Sequence, residues 1–76
     1  MYRVDIPNSD YHWYKTVRNH FIKQRLKNIN VGFDKEKQTA YIVTTNEYHH
    51  MYIMFAQEAM LTQVFDYDFK ETFDSG

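Results

Sequence analysis

The residues able to support metal or acid–base chemistry in this 76-residue chain are four histidines and ten carboxylates. His49 and His50 are adjacent. On a helix, neighbours point about 100° apart, so the pair cannot grip one ion, a task that needs i, i+4 spacing as in H-E-x-x-H. His12 and His20 are eight positions apart, too far along a helix axis to chelate together. A metal site would need residues from separate elements, and no metal or cofactor is expected. Asp66 and Asp68 project from one side of an extended segment, where two carboxylates can divide acid and base roles. With nothing else converging on them they read as a solvated face. Cysteine is absent, and with it thiolate nucleophiles, thiolate metal sites and disulfides. There is also no glycine-rich phosphate loop and no G-x-S-x-G turn. The pattern predicts a protein that is not an enzyme.

Cationic residues are more concentrated. Lys15, Arg18, Lys23, Arg25 and Lys27 fall within one helical stretch, with Lys15, Arg18 and Arg25 on its outer side beside Ile22 and Leu26. Such a row can follow a phosphate backbone, so nucleic-acid binding through the first helix is the alternative functional reading. The charge is uneven along the chain. Residues 1–38 carry eight basic against four acidic residues, and residues 39–76 carry one lysine against six acids. The acidic half opposes a phosphate backbone, and the basic helix can instead meet an acidic protein surface or the chain's own second half.

Five or six elements must position these residues. Positions 2–6 alternate apolar and charged side chains as a half-buried strand does, and Pro7-Asn8-Ser9-Asp10 ends it, with Asn8 or Ser9 placed to cap a helix. That helix carries Trp13, Tyr14, Val17 and Phe21 in one stripe. Ile29, Val31 and Phe33 alternate with polar residues, and a short polar turn leads to the β-branched segment 39–44, which makes a hairpin. Thr44 and Glu47 have capping-box spacing ahead of a helix over 46–61, with Asn46 as a competing cap. Positions 64–70 alternate again, with Phe65, Tyr67 and Phe69 on one side. The order is β-α-β-β-α-β, a ferredoxin-like split βαβ arrangement with a four-stranded antiparallel sheet and two helices on one face. The alternative is β-α-β-β-α with an irregular tail. One domain spans 1–76, fraying from about residue 74.

The outer sheet face is expected to be polar and of mixed sign, without the aromatic platform of a single-strand RNA binder except for Tyr41. The second helix is apolar on two sides. Tyr48, Met51, Tyr52, Phe55, Ala56 and Ala59 form a sufficient core face. Ile53, Met54, Met60 and Leu61 then fall on the side that should be wet, with His50 and Gln57 at the rim. An exposed cluster of this size marks a protein interface. Alternatively the helix ends near Ala59 and Met60 and Leu61 tuck against the core. The expected role is that of a small non-enzymatic interaction module. Its partner is itself, as a homodimer, or a host or cognate protein of which it is a subunit or inhibitor, and it suits a viral or mobile-element accessory protein. No segment is apolar enough to span a membrane. The start of the chain does not read as a secretory leader, and the lack of cysteine suits the cytoplasm.

Overall fold

Strand β1 (Tyr2–Asp5) is followed by helix α1 (Tyr11–Gln24), strands β2 (Ile29–Asp34) and β3 (Thr39–Thr44), helix α2 (Glu47–Phe55) and the single-turn helix α3 (Met60–Gln63). This computed structural model describes residues 1–69. The three strands form one antiparallel sheet in the order β1-β3-β2. Val4 and Val31 both oppose Ile42 across the sheet. Because side chains alternate along each strand, this register aligns the three on one face. That face, extended by Ile6, Ile29 and Ala40, is buried under the helices. α1 lies over β2 and β3, and α2 over β1 and β3.

Local chemistry sets the boundaries. Asp10 caps α1 by accepting from the Trp13 N–H at 2.8 Å, whereas Asn8 takes a left-handed turn conformation (φ 65°). Ser9 is buried and ties the turn to the sheet. Its hydroxyl accepts from the Ala40 N–H at 2.7 Å and donates to the Ile6 carbonyl. α1 buries Val17 and Phe21, with Trp13 and Tyr14 packed at the margin, and ends at Arg25 in the left-handed region (φ 57°). In the hairpin, the Asp34 carboxylate accepts from the Glu36 and Lys37 N–H groups at 3.0 and 3.2 Å. Asn46, not Thr44, caps α2, accepting from the Tyr48 and His49 N–H groups at 2.8 and 3.3 Å. The Thr44 hydroxyl instead donates to the Asn28 carbonyl at 2.8 Å.

Two expectations fail in the C-terminal third. The helix expected over 46–61 stops at Phe55. Ala56 leaves helical geometry (φ −116°, ψ 34°), and the chain turns before α3 begins. The expected fourth strand, and with it the four-stranded ferredoxin-like sheet, is absent over residues 64–69. The N–H groups of Val64, Phe65, Asp66 and Tyr67 donate to carbonyls three or four residues back, namely Met60, Thr62 and Gln63 (shared by Asp66 and Tyr67). Helical turns thus use the donors that a β-ladder would need. Lys70, the last residue of that expected strand, and the expected fraying from 74 lie outside the described residues. The fold is small and α+β, and the irregular-tail alternative also misses α3.

The cause is burial. Met60 and Val64, spaced i, i+4, are both fully buried, and the Val64 N–H donates to the Met60 carbonyl at 3.3 Å, so a helical turn carries both side chains inward. Phe69 is buried too, edge-on to Phe21 at 5.7 Å and to His49 at 5.3 Å. Tyr67 stacks on Tyr52 at 4.0 Å, and the Trp13 indole N–H donates to the Leu61 carbonyl at 2.9 Å. The tail thereby covers α1 and α2 instead of extending the sheet.

Candidate interaction surface

On α2, His49 and Ile53 face the sheet at 2% and 0% exposure. Tyr52 and Ala56 pack partly against the core. The helix is therefore rotated by about 80° from the orientation its sequence stripe suggests. Tyr48, Met51 and Phe55, expected inside, face outward at 62%, 58% and 93% exposure, and Met54 joins them at 53%. Spacing of 48, 51 and 55 puts these side chains on one helix side. Groups this large rarely collect on a surface without use.

The six residues expected to form the interface separate. Ile53 and Met60 are fully buried and cannot anchor a partner. Leu61 is half-buried against the core. His50 stacks on Tyr2, with ring centres 4.4 Å apart and planes within 16°. Gln57 donates to the Asp5 carbonyl at 3.2 Å, spanning to the end of β1. Met54 remains in the exposed apolar group. Sequence reasoning missed Tyr48, Met51 and Phe55 as surface residues because their i, i+3, i+7 stripe was assigned to the core. The i, i+4 pair His49 and Ile53, continued by Ala56 and the tail's Met60, was the competing signal.

An open groove of about 380 Å3 at Phe55 is lined also by Pro7, Met54, Ala56, Gln57, Glu58 and Ala59. Phe55, the most exposed aromatic ring of the surface, is itself part of this recess, whose lining mixes apolar side chains with Gln57 and Glu58.

The outer sheet face is occupied by its own charges. The Arg3 guanidinium lies 3.8 Å from the centre of the Tyr41 ring and bonds Asp5 and Asp34, each at 3.0 Å. Lys37 reaches Asp5 at 3.1 Å. Tyr41 opposes Gly32 in the register, and a Cβ on Gly32 would intrude into that ring. Tyr41 therefore lies between a glycine and an arginine and offers no free stacking face. Partial burial pushes the Asp5 carboxyl upward, but hydrogen bonds from Lys37 and Arg3 outweigh it and hold it below the ordinary 3.8. For Asp34 the Lys37 backbone N–H is the leading influence, and it too sits below 3.8. Tyr67 is raised above 10.0 by burial first, then by Tyr52 and Asp68.

Lys15, Arg18, Lys23, Arg25 and Lys27 are all exposed. The ion pairs among the described residues involve Arg3 and Lys37 instead. Lys15 lies 5.7 Å from the Tyr11 ring centre. Asp66 and Asp68 are exposed. Among the described residues no three histidine or acidic side chains gather closely enough to hold a metal ion. No helix there is long and apolar enough to cross a membrane. Comparison with family models, with curated proteins and with solved structures finds no match for this chain.

Proposed function

We propose that the chain is a small, non-enzymatic, cytoplasmic interaction module that binds a protein through the outer side of α2. The observation that carries this reading is Phe55, a phenyl ring 93% exposed in a stripe with Tyr48, Met51 and Met54. Leaving it in water forgoes roughly 1.5–3 kcal/mol that burial would contribute, and methionines make a contact that adapts to its partner. Affinity capture from the native cell, with wild type and Phe55→Glu as baits, tests it. A partner retained by wild type and by Lys15→Glu/Arg18→Glu, but lost with Phe55→Glu, supports the reading. A partner retained by Phe55→Glu refutes it.

Binding of nucleic acid along α1 is the second reading, favoured by its five exposed cations that form no ion pair among the described residues. Affinity for single- or double-stranded DNA or RNA at about 50 mM salt, falling steeply as salt rises, would support it. No binding at low salt removes it.

A further inference from the structure

We infer that the occupant of this surface is a second copy of the chain, paired about a twofold axis beside the C-terminal end of α2. Phe55 of each copy then seats in the groove between Pro7, Met54, Ala56 and Ala59 of the other. The inference rests on the preceding reading that the outer side of α2 is a contact surface, and it names the partner.

Three observations lead there. The first is self-complementarity. A twofold contact uses one patch twice, so a projection and its receptor must lie side by side on the same surface. Phe55, the most exposed of these large side chains, borders the groove of about 380 Å3. The second is area. Large aromatic side chains carry roughly 150–250 Å2 each, and Tyr48, Met51, Met54 and Phe55 are each more than half exposed. They present on the order of 500 Å2 per copy, so pairing removes at most on the order of 1,000 Å2 from these side chains, the low end of specific interfaces. The third is charge. Glu47 and Glu58 bound the stripe, and residues 48–57 between them contain no carboxylate, lysine or arginine. Along residues 48–57 self-contact therefore opposes no like charges; Glu58 is the one carboxylate among the residues lining the groove, and the net charge of −1 sets little long-range repulsion against pairing.

Sedimentation velocity on the full chain, from about 5 μM to about 500 μM, reads the outcome against the affinity of a modest interface. Wild type is expected to rise from the 9.3 kDa monomer toward twice that mass. Phe55→Glu, and independently Ala59→Arg in the groove wall, are expected to raise the dissociation constant at least ~30-fold, the loss typical of a central contact. Their circular dichroism should stay unchanged, and Lys15→Glu/Arg18→Glu should leave the dissociation constant alone. A dimer that survives both Phe55→Glu and Ala59→Arg overturns pairing through this surface. A wild type that stays monomeric throughout overturns self-pairing alone. In that case the capture experiment with Phe55→Glu still decides, separately, whether the surface binds another protein.

Discussion

Replacing Ile53 and Phe55 by alanine, one at a time, should give opposite results although the residues are two positions apart. Ile53 is fully buried between α2 and the sheet. Truncating such a side chain removes its burial and leaves a cavity, at a cost of about 2–5 kcal/mol. A chain of this length has a total stability of roughly 4–11 kcal/mol, so Ile53→Ala should remove a large share. At about 4–8 °C per kcal/mol for domains of this size, the melting temperature should fall by ~10 °C or more. Phe55, 93% exposed, has almost no burial to lose, and alanine is the better helix former. Phe55→Ala should stay within about 0.5 kcal/mol of wild type in the monomer. Urea denaturation at low micromolar concentration, followed by circular dichroism and by the fluorescence of the single tryptophan, Trp13, measures both. That tryptophan is a useful probe because its indole bonds the Leu61 carbonyl and reports the docking of the tail. If Phe55→Ala costs as much as Ile53→Ala, α2 presents its other side to the core and the surface described above does not exist.

Ser9→Ala should cost about 1–3 kcal/mol, because the buried Ala40 N–H loses its acceptor; the urea midpoint should fall at unchanged slope, and Ser9→Thr should restore much of it. Gly32→Ala should lower the melting temperature by driving the Tyr41 ring off its place under Arg3, and adding Tyr41→Ser should relieve the loss, a non-additivity that a double-mutant cycle reads directly. Asp5 and Asp34 titrate below 3.8 in the folded chain, so the unfolded state binds protons first as the solution is acidified. Their stabilisation is fully present above 3.8 and is lost as pH falls from there through the lower folded-state values, and thermal melts across pH 2–6 should show a shallower acid loss for Asp5→Asn/Asp34→Asn than for wild type.

Much of the N-terminal two-thirds was legible because its periodicities are unambiguous. Val4 and Ile6, Ile29 and Val31, and Ala40 and Ile42 alternate inward as period 2 requires, and Val17 and Phe21 are buried with Trp13 and Tyr14 packed at the core's margin. The second helix was harder to read because it carries two apolar stripes, and periodicity alone cannot choose between them. Nor does local propensity mark its end. Ala56, Gln57, Glu58 and Ala59 all favour helix, and the break there comes with the burial of Met60 and Val64, a tertiary effect. The tail misled for a related reason. Phe65, Tyr67 and Phe69 alternate like a strand, yet Tyr67 and Phe69 meet Tyr52, His49 and Phe21 from a turn. The i, i+4 spacing of Met60 and Val64 fits a helical turn, but a strand also places i and i+4 on one face, so the spacing alone does not choose between them. The candidate site changed with the helix. An unmatched apolar side on α2 was visible, but which residues formed it depended on how the helix is turned about its axis.

The central claim is that the outer side of α2 makes contact with a second copy through Tyr48, Met51, Met54 and Phe55. Nitrogen–proton correlation spectra of the wild-type chain, recorded as it is concentrated, test this residue by residue. The amide signals of these four residues, together with those of Ala56 and Ala59, should shift progressively while those of Lys15, Arg18 and Lys23 stay fixed. Shifts confined to α1 or to the outer face of the sheet, or spectra that do not change with concentration, would contradict it.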